Sequence, residues 1–213
     1  MARRLIFILV GPSGTGKTTL IQRMLQDYPD LRKHVTYTTR MPRAEEVDGV
    51  DYHFVSHAEF ERMRSEGKLV EWNPHFENLY GSTYDSISAA INGDFDRITS
   101  LEVLGAEKLQ SMYPDDVATI FVSPPSLEEA RRRREKRPDE TPAQEKERDN
   151  RAVMEMEHAG NFRYALVNDD LEAAVINVAA IIRAERCARF VRDIKQMGLL
   201  NLLSLHRSEM NHA

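Results

Sequence analysis

Eight consecutive residues, Gly11-Pro12-Ser13-Gly14-Thr15-Gly16-Lys17-Thr18, carry the plainest chemical signal in the chain. Glycines let the backbone bend so that successive N–H groups point inward, which makes a cradle for phosphate that needs no side chain. Lys17 adds a point charge for the outer phosphates of a nucleoside triphosphate. Thr18 offers a hydroxyl to Mg²⁺, an ion that keeps most of its positions for water and phosphate oxygens. The pattern works only between a strand and a helix, and both flanks supply it. Leu5 to Val10 is an apolar run that reads as a buried strand, and Thr18 to Leu25 has a helical pattern whose N-terminal dipole favours anions. The loop, extended by Thr19, therefore binds a nucleoside triphosphate.

A second polar segment, Thr39-Arg40-Met41-Pro42-Arg43, follows a short strand predicted over Val35–Thr39 and sets two arginines three positions apart. Asp51–Ser56 alternates like another strand, with Tyr52 and Phe54 on one side. Ser56-His57-Ala58-Glu59 reads as a capping box opening a helix that should stop at Gly67, and short strands follow at Leu69–Trp72 and around Leu79-Tyr80. This block, 36–82, interrupts a βα alternation that resumes with a helix from Tyr84, a strand at Ile98–Val103, a helix from Ala106 and a strand at Val117–Val122. Further helix starts are expected at Ser126 and at Thr141-Pro142, then a last strand at Tyr164–Val167 and a long helix capped at Asn168-Asp169-Asp170. Arg131 to Arg137 reads by composition alone as a solvated helix face. The amphipathic tail from Arg189, with Phe190, Val191, Ile194 and Met197 and then leucines from Leu199 to Leu205, is expected to pack on the body or on a second copy.

Composition bounds the partners. Among 213 residues, 29 basic and 34 acidic side chains give a net charge of −5, which argues against tracking a nucleic-acid polymer. One cysteine, Cys187, and no Cys/His cluster of zinc spacing fit a reducing compartment, so a cytoplasmic location is expected. Arg3-Arg4 ahead of an apolar run imitates a secretion signal, but only Leu5 to Val10 separate it from the glycine loop. No stretch is long and apolar enough to span a bilayer.

Six blocks taken together, GPSGTGKTT, YTTRMPRAEEVDGVDYHFVS, GKLVEW, NLYGST, FVSPPS and VNDD, resemble the guanylate kinase family over about residues 4–185. The resemblance implies an α/β P-loop fold of one domain: a parallel sheet flanked by helices (core 1–35, 83–125 and 160–188), an inserted mixed α/β GMP-binding lobe at 36–82, a helical lid at about 126–159 and a helical tail at 189–213. It implies ATP and GMP as substrates, with dGMP also accepted, and Mg²⁺ as cofactor. By the same resemblance Arg40, Arg43, Tyr52 and Tyr80 hold the GMP phosphate, and Glu71, Ser82 and Thr36 read guanine. Arg133, Arg137 and Arg148 are lid arginines that close over the phosphates, Arg148 also reaching the GMP side, and Asn168 belongs to the ATP side. Lys17, Arg40, Arg137 and Arg148 are the expected catalytic residues.

Those residue types suit the chemistry. A monophosphate ester loses its second proton near pH 6 (about 6), so the attacking oxygen is already anionic and no general base is needed. The obstacle is like charge: one such pair at about 4 Å costs about 1 kcal/mol in water and several times more in a drier site. Guanidinium forks bind phosphate oxygens in pairs and offset it. A carboxylate at Glu71 only accepts, and so matches guanine N1–H and amine but not adenine N1. Two departures from the family stand out. Glu145 and Asp149 occupy lid positions where apolar residues are common, and Ser100-Leu101-Glu102 replaces a pair of aspartates, leaving Glu102 as the one acid able to act on the metal through water and on GMP. Two other readings compete with the enzyme: a catalytically weakened binding module of the same family, disfavoured by the complete Gly16-Lys17-Thr18, and a related small-molecule phosphate kinase, disfavoured by Glu71, Tyr80 and Ser82.

Overall fold

Ile6, Phe7, Ile8, Leu9 and Val10 are all fully buried, which places the strand they form, β1 (Ile6–Val10), in the middle of a sheet covered on both faces. A computed structural model describes residues 3–75, 77–134 and 142–196, with the side chains of all of these but 75, 142–147 and 196. β1 is the central strand of five, all parallel, in the order β2 (Leu31–Lys33), β7 (Asp96–Ser100), β1, β8 (Val117–Ser123), β9 (Tyr164–Val167). Helices α1 (Lys17–Asp27) and α7 (Leu171–Gln196) cover one face, where Leu20, Met24, Val178 and Ile182 pack against Phe7 and Leu9. Helices α3 (Tyr84–Ile91) and α4 (Val103–Met112) cover the other through Ile87, Ile91, Ala106 and Leu109. Leu9 pairs with Ser100 and Val10 with Phe121, so the chain leaves β1 and β7 side by side at the carboxyl edge, where parallel sheets carry their sites.

A second sheet of four strands is built from the inserted block: β4 (His53–Phe54), β3 (Tyr37–Thr38), β6 (Asn78–Thr83) and β5 (Leu69–His75), with β3 and β4 parallel and the rest antiparallel. Helix α2 (His57–Ser65) closes it over a small core of Phe60, Met63 and Leu69. Ser56 Oγ accepts the Glu59 N–H at 3.1 Å, and the helix ends before Gly67. Between β8 and β9 lie α5 (Leu127–Arg134) and α6 (Pro142–Glu157), with Ser126 Oγ accepting the Glu129 N–H at 3.0 Å. Proline opens α6 as expected, while Thr141 and Arg137 lie outside the described residues.

Three expectations need correcting. The three-residue β2 was not foreseen. The strand expected over Ile98–Val103 stops at Ser100, and α4 begins at Val103 rather than Ala106. The β-branched Val103 extends the apolar pattern, but it is buried from a helix, and Glu102 therefore sits at the helix N-cap. The boundary drawn at 189 falls inside α7, whose last turns continue the core helix: Arg189 is buried and donates to Asp116 Oδ1 at 2.6 Å, while Phe190 is 65% exposed. The leucines of the tail lie beyond the described residues. Among the described residues no helix is long and apolar enough to cross a membrane.

Candidate active site

The loop from Gly11 to Gly16 turns sharply through left-handed backbone at Gly14 (φ 87°) and Gly16 (φ 86°), the latter serving as N-cap of α1 with no side chain on the helix N-terminus. Gly11, Gly14 and Gly16 also back onto Val122 O, Ala130 O and the Asn168 side chain, so closely that a Cβ would collide at each. Thr15 is buried with its hydroxyl on Pro12 O at 2.9 Å, and Lys17 Nζ bridges the carbonyls of Gly11 and Pro12. Asn168 was expected on the ATP side. It sits behind the loop, buried, and its amide donates to Thr15 O at 2.7 Å, so its side chain is committed to holding the loop.

The basic run on α5 divides by helix phase. Arg132 is exposed and pairs with Glu129, and Arg133 reaches both Glu129 and Asn168 O at 2.8 Å. Two arginines holding Glu129 keep its carboxyl down at about 2. Arg134, which the sequence reading passed over, is 3% exposed, donates to Ser13 O at 3.0 Å and pairs with Asp149 on α6. Arg131 meets the other oxygen of Asp149. Asp149 thus ties α6 to α5 through both of its carboxylate oxygens. From the position just before Asp149 on α6, Arg148 Nη1 reaches Ser13 Oγ at 3.1 Å.

Two cavities meet at Gly11, Lys17 and Glu102. The first, of about 220 Å³, is walled by the loop, Thr18, Thr19, Arg148, Arg151 and Glu155. The second, of about 200 Å³, runs into the inserted lobe past Thr36, Tyr52, Tyr80 and Ser100 to Glu71 and Asn73. Beside them a wider cleft of about 840 Å³ is lined by Arg40 and Arg43. Glu46 gathers that corner, accepting from Arg40 Nη2 at 2.8 Å and from the Arg43 N–H at 2.8 Å. The Arg40 guanidinium lies 5.5 Å from the Tyr52 ring, and Tyr52 and Tyr80 meet edge to face at 6.0 Å. Burial pushes the Tyr52 phenol up, so it stays a donor.

At the far end, Glu71 is 4% exposed, and burial pushes its carboxyl up to about 7, against the pull of Ser82 and Lys108. Ser82 lies near enough to moderate that rise, yet Glu71 Oε1 and the fully buried Ser82 Oγ lack well-formed partners among the described residues. An acceptor-only group held dry and unsatisfied is costly unless a donor arrives. Glu155 was also unforeseen: burial, then the charge of Glu102, pushes its carboxyl up, with Lys17 opposing. Its signal was available, because Arg148, Arg151 and Glu155 recur at helical spacing.

Known proteins place this arrangement. The guanylate kinase family model matches residues 3–185. The guanylate kinase of Gluconobacter oxydans is 37% identical over 202 residues, spanning 95% of each chain. That of Myxococcus xanthus is 37% identical over 196 residues, 92% of this chain and 93% of the relative. The crystal structure of guanylate kinase from Anaplasma phagocytophilum superposes with a TM-score of 0.70 at 29% identity, covering 87% of both chains. Matched in sequence almost end to end and in structure over most of its length, this chain belongs to the guanylate kinase family.

Proposed function

We propose that the protein transfers the γ-phosphoryl group of ATP to GMP, giving ADP and GDP, in a Mg²⁺-dependent reaction in the cytoplasm. It takes dGMP as well, because the ligands assigned here address base and phosphate and not the ribose 2′ position. The observation that carries the reading is the meeting of two cavities at Gly11, Lys17 and Glu102, one walled by a phosphate loop and the other ending on the buried Glu71 carboxylate, whose Oε1 lacks a well-formed partner among the described residues.

In the reaction a phosphate oxygen of GMP forms the bond to the γ-phosphorus as the bond from that phosphorus to the β–γ bridging oxygen breaks, and ADP leaves with that oxygen. Glu71 accepts from guanine N1–H and amine, with Ser82 and Thr36 alongside, and fixes the base. Arg40, Arg43 and the hydroxyls of Tyr52 and Tyr80 hold the acceptor phosphate, so orientation and charge neutralisation are supplied by one corner of the lobe. On the donor side the loop N–H groups, the open N-terminus of α1 and Lys17 hold the β- and γ-phosphates. Arg148, already at the loop through Ser13, and Arg133 and Arg137 on the lid neutralise charge on the group in flight.

Thr18, Glu102 and Glu155 offer oxygen donors in a cavity that Lys17, Arg148 and Arg151 also line, and among the described residues no group of three or more His, Cys, Asp or Glu could cage a metal. That donor set fits Mg²⁺, which needs one or two protein groups besides phosphates and water. Thr18 would hold it directly and Glu102 through water, and when bound it would neutralise the phosphate oxygens of ATP. The test is a coupled assay of ADP release with ATP, Mg²⁺ and a panel of monophosphates. GMP should be the preferred acceptor and Lys17→Ala should abolish turnover. GDP formation no faster in the unaltered protein than in that variant would overturn the proposal.

A further inference from the structure

We propose that Asn73 is a second base-reading residue, its side-chain amide donating to the O6–N7 edge of guanine beside the Glu71 contact. The inference rests on the GMP reading above and adds a residue to it. Asn73 stands two positions beyond Glu71 on β5, so the two share a face of the strand, while Trp72 turns the other way under Arg64. Across the hairpin Glu71 is paired with Ser82 and Asn73 with Tyr80. The same face therefore carries a Glu71/Ser82 pair at its base-reading end and an Asn73/Tyr80 pair one step nearer the acceptor phosphate. Both Glu71 and Asn73 line the acceptor cavity.

The purine dictates what Asn73 would meet. With the Watson–Crick edge on Glu71 and the base anti to its sugar, the 5′-phosphate lies toward C8, and the edge on that side carries O6 and N7. Both are acceptors, whereas adenine puts an amine at the first of these places. An amide –NH₂ supplies two donors. The neighbouring carboxylate also selects which end of the amide faces the ligand. A Cβ built on Gly105, in the first turn of α4, would lie 2.6 Å from Glu71 Oε2 and 3.2 Å from Asn73 Nδ2, so the anionic oxygen and the amide nitrogen converge on one glycine. Nitrogen toward carboxylate is the orientation Coulomb attraction favours, and it leaves an acceptor and a donor side by side, the complement of guanine N1–H and O6. Among the described residues the Asn73 side chain makes no hydrogen bond that would hold it away from the cavity.

The experiment compares Asn73→Ala and Asn73→Asp with the unaltered protein on three acceptors: GMP, IMP, which lacks the 2-amine but keeps O6, and 6-thio-GMP, whose sulfur is a poor acceptor. Loss of one donor should lower kcat/KM about tenfold for GMP and by the same factor for IMP. The loss on 6-thio-GMP should be several-fold smaller. Asn73→Asp, which sets a second carboxylate against O6 and Glu71, should cost more than Asn73→Ala on GMP. Because each variant is judged by its ratio between acceptors, a lower yield of folded protein does not alter the outcome. A loss seen with GMP but absent with IMP would place the amide on the 2-amine and overturn the proposal. Equal losses on GMP and 6-thio-GMP, or none on either, would also overturn it. Turnover of GMP with no dependence on Asn73 sinks this inference alone, whereas no turnover of GMP by the unaltered protein sinks the functional reading with it.

Discussion

Replacing Glu71 by Gln should pull stability and activity in opposite directions, and the size of both effects follows from burial. The Glu71 carboxyl rises from an ordinary 4.5 to about 7 on folding, chiefly because burial disfavours its ionised form. Its folded pKa lies above the unfolded one, so the folded chain binds more protons across that window. The contribution is fully present below pH 4.5 and is lost as pH rises through about 7. A rise of about 2.5 units at 1.36 kcal/mol each corresponds to about 3 kcal/mol held against the fold at alkaline pH. Glutamine has no charge to bury. In urea denaturation without nucleotide, Glu71→Gln should match the unaltered protein near pH 4.5 and exceed it by about 2–3 kcal/mol at pH 8.5 or so, all other groups cancelling in the difference. With GMP the order reverses: a neutral amide faces N1–H and the amine in a dry site, and kcat/KM should fall by about 2–4 kcal/mol. GMP affinity of the unaltered protein should rise with pH through about 7, and that of the glutamine variant should lack the Glu71 component. A stability difference that is the same at pH 4.5 and at about pH 8.5 would show that the carboxylate is not held against its ionisation, and the reasoning would fail.

Gly105→Ala adds a methyl 2.6 Å from Glu71 Oε2, so GMP KM should rise about tenfold or more while helix α4 gains up to about 1 kcal/mol from alanine; an unchanged KM would refute the close packing of the Glu71 carboxylate on Gly105. Arg134→Ala removes a buried guanidinium from Ser13 O and Asp149 and should destabilise the protein by about 2–4 kcal/mol in thermal or urea unfolding, with Lys17 chemistry impaired only through the loop; a loss within about 0.5 kcal/mol would return Arg134 to the solvated face.

What could be read before the structure, and what could not, divides along the range of the interactions. The phosphate loop was legible because strand, glycines and helix are contiguous, and the caps at Ser56 and Ser126 for the same reason. Arg134 was not, since four adjacent arginines look alike until helix phase and a carboxylate fifteen positions on, Asp149, single one out. Val103 misled because a β-branched apolar residue extends a strand pattern whether it is buried from a strand or from a helix. Asn73 had a signal, the alternation Glu71-Trp72-Asn73, that goes unused when a family pattern has already supplied the base ligand. Asn168 carried a motif, but its amide's contact with Thr15 O was not legible, because the two residues lie 153 positions apart.

The backs of Gly11, Gly14 and Gly16 rest on Val122, Ala130 and Asn168, three residues from three separate stretches of the chain. Grafting the octapeptide into another strand–helix junction would therefore carry over its residues without its mould. Evolutionary drift meets the same restriction from the other side: the backbone at Val122 and Ala130 and the side chain at Asn168 must keep their places to within a few tenths of an ångström if the loop is to keep its curvature. Val122, Ala130 and Asn168 are in that sense held to the same curvature as the loop they back.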